Sequence, residues 1–397
     1  MRRIDLKKAN VARADTIRNI NRQIVLNYIR ERSPISRAEI SHETALQRST
    51  VSLIVDELKQ QGFIDEVEGE SSGGRPPILL KLRAAGAIAI GVDLGTTRTV
   101  VATSDLAGRV LEQREFETDP NAKRTFAKIV KYSMEYIERE KEIEGIGISL
   151  PGLVDSETGI AHFIPHFKWR DWEIGKELRE ATGLPVTVEN DANAAALAEL
   201  WFGRPEIREV RDFIMVLVEE GLGTGIVFDG QVYQGKAGVA GEFGHMTIGS
   251  NAPVACASGS RECWEAFASE RAALARYSGG SLSIVGNSAA EFESLMDHAL
   301  DGELAARKAL LETAQYLGVG ISNLIKGLSP EAVIVGGRIA RVWSIIGNEL
   351  KDAVDDKSIC RGFGFTQVFP SSLGANPTLM GALSLILAGK FSYVLPA

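Results

Sequence analysis

Two polar stretches of this sequence combine residue types that can bind a small molecule. In the first, VENDANAAALAE (188–199), a short β-branched segment turns at Asn190-Asp191 into an alanine-rich helix. Asn and Asp at such a corner can cap the helix N-terminus. They also place an amide and a carboxylate at the open end of a strand, where α/β sheets bind ligands. The residues alone leave both roles open for Asp191.

The second stretch, EGLGTGIVFDGQVYQGKAGVAGEFGHMT, covers residues 220–247. Its alternating glycines let backbone N–H groups approach a phosphate or a sugar closely, although a tight hairpin needs glycines too. Small residues surround Glu242 and His245. This composition suits a narrow pocket that offers hydrogen-bond acceptors and a donor to hydroxyl groups.

The composition is that of an ordinary globular protein with two or three domains. The 397 residues are 45% hydrophobic and 24% charged, which allows a large core. No apolar run is long enough to span a bilayer, and the charged N-terminus has no apolar segment behind it, which excludes a signal peptide. Three cysteines make no disulfide framework, so we expect a cytoplasmic protein.

Charge is divided unevenly along the chain. Residues 1–83 contain 15 Lys/Arg and 11 Asp/Glu, a net charge of +4, whereas the remaining residues carry a net charge of −12. A basic N-terminal part on an acidic body indicates that only the N-terminal part meets an anionic partner. The basic residues of the first 16 positions fit either a solvated tail or an arm that contacts DNA phosphates.

The N-terminal part reads as three helices. Helical spacing covers residues 16–31, and Ser36-x-x-Glu39 is a capping box that opens a short helix through Thr44. A third helix over residues 47–60 carries one apolar stripe. The polar residues at its N-terminal end lie off that stripe, where a recognition helix places its DNA-contacting side chains. These residues are Gln47, Arg48, Ser49, Thr50 and Ser52.

A hairpin follows the third helix. Residues 63–67 and 78–82 read as two strands around a Gly/Ser turn that carries Arg75. An arginine on such a wing can enter a narrow minor groove. The alternative is an ordinary hairpin tip, but the three preceding helices favour DNA contact.

Alternating strands and helices fill the remainder of the chain. Residues 84–86 are expected to form a hinge, followed by a buried strand over 87–92. Two histidines and two tryptophans fall in a stretch expected to be irregular, residues 162–172, where we favour packing over ligand binding. Long helical patterns cover residues 304–328 and 376–387.

Taken together, these motifs resemble the ROK family (repressor, open reading frame, kinase). The segments NDANAAALAE, GLGTGIVFDGQVYQG, AGEFGHM and CASGSRECWE occur in the family's order and spacing. The resemblance covers the whole chain, because some members also carry an N-terminal winged helix-turn-helix. It implies an α/β body of two lobes with the actin-like ATPase and sugar-kinase fold. The implied domains are 1–83 (DNA-binding), 84–192 completed by about 376–397 (small lobe), and 193–375 (large lobe).

The resemblance also implies a sugar site. The family's five sugar contacts fall on Asn190, Asp191, Glu242, His245 and Glu265, and each keeps the expected residue type. In a kinase of this family, Asp191 would accept the proton of the attacking hydroxyl while Mg²⁺ and glycine N–H groups hold the phosphates of ATP.

The residues at the positions of the family's ATP site match the family pattern less closely than those of the sugar site. The turn DLGTT resembles the family's first phosphate loop, but Thr96-Thr97-Arg98 follows its glycine where family kinases usually have Gly-Thr-Lys. This departure leaves ATP use open. The positions that the resemblance assigns to a nucleotide are Asp93, Gly95, Thr96, Gly223, Thr224, Gly336 and Gly337. The Gly336-Gly337 turn fits equally well with a close-packed strand–helix junction.

A structural zinc is the remaining implied feature. The family has Cys-x-Cys-x4-Cys with a histidine, and this chain offers His245, Cys256 and Cys263 with Ser258 at the middle position. Tetrahedral zinc takes four ligands. Either water or another group completes the site, or the loop holds without metal.

Two functional hypotheses follow. The first is a sugar-responsive transcriptional repressor that binds double-stranded operator DNA, takes a small sugar as effector and, by resemblance, forms a homodimer. The second is an ATP-dependent sugar kinase that carries a DNA-binding head. The N-terminal helices favour the first hypothesis.

Overall fold

A computed structural model describes residues 14–70, 76–207, 210–279, 288–357, 366–374 and 376–391. The basic residues before position 14 and the wing residue Arg75 lie outside these ranges. No helix within them is both long and apolar enough to cross a membrane.

The N-terminal part, here called the head (residues 14–82), is a winged helix-turn-helix as predicted. A three-stranded sheet of order β1-β3-β2 closes one side of its helices. Sequence reasoning missed β1, because two residues are too few to show a period. The head elements are α1 (Ala14–Arg32), β1 (Ile35–Ser36), α2 (Arg37–Thr44), α3 (Arg48–Gln60), β2 (Ile64–Glu68) and β3 (Ile78–Leu82).

Both local signals in the head are confirmed. Ser36 Oγ accepts a hydrogen bond from the Glu39 N–H at 3.2 Å, and the Glu39 carboxylate accepts one from the Ser36 N–H at 2.8 Å. This capping box starts α2. The predicted apolar stripe of α3 is buried, which leaves the polar N-terminal end of that helix facing outward. The stripe residues are Val51, Ile54, Val55 and Leu58.

The body starts with a mixed five-stranded sheet of order β11-β7-β4-β5-β6. A small sheet of order β10-β9-β8 stands beside it. The expectation of an irregular stretch at residues 162–172 is therefore wrong. The elements are β4 (Ile88–Leu94), β5 (Arg98–Asp105), β6 (Val110–Glu117), α4 (Ala122–Arg139), β7 (Ile143–Leu150), β8 (Leu153–Asp155), β9 (Ile160–Ile164), β10 (Trp169–Trp172), α5 (Ile174–Thr182), β11 (Val186–Asn190) and α6 (Asp191–Phe202).

A second five-stranded sheet, of order β14-β13-β12-β15-β16, forms the other lobe. Its elements are β12 (Phe213–Val218), β13 (Leu222–Phe228), β14 (Gln231–Val232), α7 (Trp264–Ala268), α8 (Glu270–Tyr277), α9 (Ser288–Leu300), α10 (Leu304–Leu328), β15 (Ala332–Gly336), α11 (Trp343–Lys357) and β16 (Gln367–Pro370). The last helix, α12 (Pro377–Phe391), returns to the first sheet. The predicted long helix over 304–328 is confirmed.

The two sheets share one topology. In each, the first two strands form an antiparallel hairpin, the third strand extends it, and two further strands add in parallel on the other side. The β4–β5 turn of one sheet therefore corresponds to the β12–β13 turn of the other. This duplicated arrangement confirms the two-lobed α/β body.

Helices α6 and α12 lie between the sheets. Helix α6 packs on β12 and β13, and α12 packs on β4 and β7. The two helices touch at their backbones, because a Cβ at Gly381 would come within 2.7 Å of Ala194. Only a residue without a side chain fits at that position.

The head and the body share one hydrophobic core. Val25, Leu26 and Ile29 of α1 belong to the same buried cluster as Leu383 and Phe391 of α12. The predicted hinge at 84–86 is instead a packed 3₁₀ turn. The Ala84 carbonyl accepts a hydrogen bond from Leu106 N–H at 2.9 Å, and a Cβ at Gly86 would lie 2.4 Å from the Gly62 carbonyl oxygen.

We expect the shared core to make head and body unfold together. The variant Leu383→Ala should lower stability by about 2–5 kcal/mol, because it opens a cavity at a fully buried site. Differential scanning calorimetry should show one transition, shifted to lower temperature. Leu53→Ala, at a residue 71% exposed, is the matched control and should shift it little. A separate head transition that the Leu383 variant leaves in place would contradict this expectation.

Candidate functional site

A cavity of about 650 Å³ opens between the two lobes. Its walls come from the β4–β5 turn, the β12–β13 turn, the first residues of α6 and the loop around residues 238–245. The β4–β5 turn and the β12–β13 turn are equivalent in the two sheets, and both face the cavity. Residues far apart in sequence therefore meet here. The volume is sufficient for a monosaccharide.

The β11–α6 corner places the first two predicted sugar contacts. Asn190 caps α6, because its Oδ1 accepts hydrogen bonds from the N–H groups of Ala192 at 2.9 Å and Asn193 at 3.2 Å. Its Nδ2 donates to the Gly152 carbonyl at 3.0 Å. The cap is therefore Asn190 rather than Asp191. Asp191, which accepts from the Ala192 N–H at 2.8 Å, stands on the cavity wall.

The other three predicted sugar contacts line the same cavity. Glu242 Oε2 and His245 Nε2 lie 3.9 Å apart. Burial raises the pKa of Glu242, and His245 partly opposes that rise. Glu265 is buried, and its Oε1 accepts from the Ala257 N–H at 3.0 Å and from Arg271 at 3.1 Å. All five predicted sugar contacts thus face one space as a set of acceptors and donors.

The positions predicted for a nucleotide divide into two groups. Asp93, Gly95, Thr96, Gly223 and Thr224 line the cavity. Gly336 and Gly337 do not belong to its lining. Gly337 has a φ of +90°, and a Cβ there would lie 1.9 Å from the Val218 carbonyl oxygen. This close approach is sufficient to require the glycine, so the geometry supports the close-packed junction at that turn.

Sequence reasoning missed two acids at the end of β12. Glu219 and Glu220 both line the cavity, and Glu220 Oε2 accepts a hydrogen bond from Thr96 Oγ1 at 2.6 Å. The two partners are 124 residues apart, so no local pattern reveals the contact. The only sequence signal is a pair of acids directly after a buried apolar strand.

Burial and like charge disfavour ionisation in this part of the cavity. Burial, followed by the neighbouring Glu219 carboxylate, raises the pKa of Asp93 to about 7. The same two causes raise the pKa of Asp191 well above its usual range. Burial raises the pKa of Glu219 as well. Carboxylates perturbed in this way are typical of binding and catalytic sites.

A cluster that can hold a metal ion flanks the cavity. His245, Cys256 and Cys263 bring one donor atom each to within 4.8 Å of one another. Burial disfavours the Cys256 thiolate, but hydrogen bonds from Ser258 and Cys263 outweigh it and lower the pKa of that thiol to about 7. Ser258 Oγ lies 3.0 Å from Cys256 Sγ, so a weakly coordinating hydroxyl stands where a fourth ligand is needed.

Comparison with known proteins agrees with both parts of the architecture. The family model "ROK family" matches residues 89–388, and the model "Winged helix-turn-helix DNA-binding" matches residues 18–65. The chain belongs to the ROK family.

The relatives of this ROK chain include repressors and kinases. A protein named xylose repressor from Caldicellulosiruptor bescii is 32% identical over 95% of this chain and 98% of its own. A solved ROK family transcriptional regulator, described as a homolog of the E. coli MLC protein, matches at 30% identity with a TM-score of 0.76, covering 95% of this chain and 97% of its own. A ROK glucokinase from Streptomyces griseus matches at 29% identity with a TM-score of 0.68, covering 76% and 100%.

The head of this ROK protein presents the predicted DNA contacts together. Gln47, Arg48 and Ser49 are exposed at the N-terminal end of α3, and Thr50 and Ser52 are half-buried beside them. The wing contact Arg75 lies outside the described residues.

The raised pKa of Asp93 predicts how stability depends on pH. Its pKa is about 7 in the folded protein against an ordinary value of 3.8. The folded state therefore binds more protons between these values, and this group's contribution to stability falls as pH rises through that window. Asp93→Asn should raise the melting temperature relative to the parent at pH 8 and lose that advantage toward pH 4.

Thermal melts of both proteins at each pH would check this sign. Asp301→Asn, at an exposed turn position, is the control and should give a small difference that does not depend on pH. An advantage of the Asp93 variant that stays constant or grows at low pH would show that Asp93 is ionised throughout.

Proposed function

We propose that this ROK protein is a sugar-responsive transcriptional repressor whose effector sugar binds between the two lobes. The winged helix-turn-helix supports operator DNA as the partner, and the relatives named xylose repressor support xylose as the first sugar to test. Five hydrogen-bonding side chains on the cavity wall suit a ligand rich in hydroxyl groups, and such a site rejects ligands that lack them.

One observation carries the proposal: two helices run from the cavity to the head. Helix α6 begins at Asp191 in the cavity wall. It ends at Trp201 and Phe202, which pack on the hydrophobic core that the head and the body share. Helix α12 begins beside Thr378, whose hydroxyl donates to Asp93 at 3.0 Å. It ends at Phe391.

The far ends of both helices hold α1. The Arg30 guanidinium lies 4.7 Å from the ring centroids of both Trp201 and Phe391. Asn27 Nδ2 donates to the Phe391 carbonyl at 2.8 Å. Cation–π contacts and a hydrogen bond therefore tie the DNA-binding head to the ends of the two helices that start at the sugar site.

Sugar bound between the lobes would shift α6 and α12 together, because their backbones are in contact at Gly381, and so re-position α1. In a homodimer, this movement would change the spacing of the two recognition helices and hence the affinity for a two-fold operator. Linkage makes the effect reciprocal, so operator DNA changes sugar affinity by the same factor.

The alternative, a sugar kinase, is favoured by one observation. Asp191 stands in the cavity where a general base for a sugar hydroxyl would act, and the ROK glucokinase shares this fold. Kinase activity also needs ATP phosphates at the β4–β5 turn. There the Thr96 hydroxyl is bonded to Glu220, which supports the repressor over the kinase.

Zinc is the metal that the His–Cys cluster supports best. Two thiols and one imidazole supply three of its four tetrahedral ligands, and water or Ser258 would supply the fourth. Such a metal would hold the loop that carries His245 against the cavity.

The function itself is tested by fluorescence anisotropy of the full chain on DNA from upstream of its own gene, at fixed salt, with and without free sugars. We expect Arg48→Ala to weaken operator binding about tenfold, since one lost base or phosphate contact costs about 1–3 kcal/mol. Lys141→Ala, an exposed cation on the body, is the control. Unchanged operator affinity in the Arg48 variant would remove α3 from the interface.

A second variant tests the two-helix connection. Trp201→Ala removes one of the two rings that hold Arg30, so sugar should still bind by calorimetry but should no longer change operator affinity. Trp201→Phe keeps an aromatic face and should retain most of the response. A full sugar response in the alanine variant would show that the signal takes another route.

A further inference from the structure

We propose that Glu219 and Glu220 restrict the effector to unphosphorylated sugars, so that sugar phosphates and nucleotides are rejected by the same pair of carboxylates. This inference rests on the proposed sugar-binding function of the cavity and names the chemical class of its ligand.

The cavity lining is strongly acidic. Six carboxylates face it, against one guanidinium, that of Arg271, and two imidazoles among the described lining residues. The carboxylates are Asp93, Asp191, Glu219, Glu220, Glu242 and Glu265. A phosphate ester would bring about two further negative charges into this space.

The one guanidinium of the lining already has partners, and both imidazoles lie near carboxylates. Arg271 donates to the Glu220 carbonyl, the Ala255 carbonyl and the Glu265 carboxylate, each at 3.1 Å. His166 Nδ1 lies 3.9 Å from Glu220 Oε1, and His245 Nε2 lies at the same distance from Glu242. Arg271 would therefore have to give up one of its present partners to pair with a phosphate.

Two arginines just behind the lining are engaged as well. Arg98 donates to Glu115 at 3.1 Å and to Asn376 at 2.7 Å. Arg338 makes a two-bond contact with the fully buried Glu270, at 3.0 and 2.6 Å. Breaking that contact would leave a buried carboxylate unpaired, which is strongly unfavourable.

The position of the two glutamates decides which ligand atoms they meet. They follow β12 at the turn that faces the β4–β5 turn, and the bond from Thr96 to Glu220 closes the gap between these turns. The hydroxyl most suited to donate to a phosphate oxygen therefore already donates to a carboxylate.

A sugar can bind among Asn190, Glu242 and His245 of the lining, where its neutral hydroxyls both donate and accept. A phosphate attached to that sugar and directed toward Asp191 would meet Glu219 and Glu220. Repulsion between like charges in a partly buried site is stronger than in water, so a phosphate is disfavoured wherever these carboxylates are ionised.

Isothermal titration calorimetry on the full chain tests this inference. Xylose, glucose and N-acetylglucosamine are each compared with a monophosphate ester of the same sugar, and Mg²⁺ with a non-hydrolysable ATP analogue is titrated separately. We expect the parent protein to bind at least one free sugar, to bind its ester at least about 100-fold more weakly, and to bind no nucleotide.

Removing the two charges should reduce the difference in affinity between the free sugar and its phosphate ester. In the double variant Glu219→Gln, Glu220→Gln, the ratio of free-sugar to ester affinity should fall by at least about tenfold. Glu138→Gln, on the exposed face of α4, removes a distant carboxylate and should leave the ratio unchanged. The single variants serve if circular dichroism shows that the double variant is misfolded.

The outcomes separate this inference from the proposed function. An ester that binds the parent as tightly as the free sugar overturns the inference and leaves sugar-dependent regulation standing. Discrimination that persists unchanged in the Gln variants removes the role from these two residues. Absence of binding by every free sugar and every ester contradicts the proposed function and this inference together.

Discussion

The backbone contact between α6 and α12 fixes both the cavity and the head. At Gly381 the helices approach so closely that a Cβ would come within 2.7 Å of Ala194, so no flexible side chain separates them. Because protein interiors are close-packed, a shift of one helix has to displace the other. Their N-terminal ends line the cavity and their C-terminal ends hold α1, so packing connects the cavity to the head.

The cavity is formed at a cost in folding free energy. Burial raises the pKa of Asp93, Asp191 and Glu219, and a protein selected only for stability would not gather three acids there. Sugar hydroxyls can form hydrogen bonds with these buried acids, so ligand binding would offset part of the free-energy cost of burying them. The β4–β5 turn resembles the kinase phosphate loop in sequence, but its Thr96 hydroxyl donates to Glu220.

Local signals in the sequence predicted individual elements, whereas the two-lobed fold was predicted from the resemblance to a family. The capping box at Ser36, the α3 stripe and the long helix α10 each follow from a period within one segment. The sequence did not predict elements that are very short or that depend on an unusual turn. Strand β1 has only two residues, and the chain between β9 and β10 turns with Lys168 at a φ of +57°. The five predicted sugar contacts came from a resemblance in motif order, and the structure brings them to one cavity. The Thr96–Glu220 bond and the shared core beneath α1 depend on long-range packing that no window of sequence contains.

Hydrogen–deuterium exchange with and without the bound sugar tests the central claim most directly, because it reports local opening along each helix. Residues 383–391 form the end of α12 opposite to the cavity residue Thr378. Residues 25–32 of α1 pack on that end and on the end of α6 opposite to Asp191. The account predicts that sugar changes amide protection in both of these segments as well as at the cavity. A change confined to the cavity turns, with α1 and the end of α12 unaffected, would contradict it.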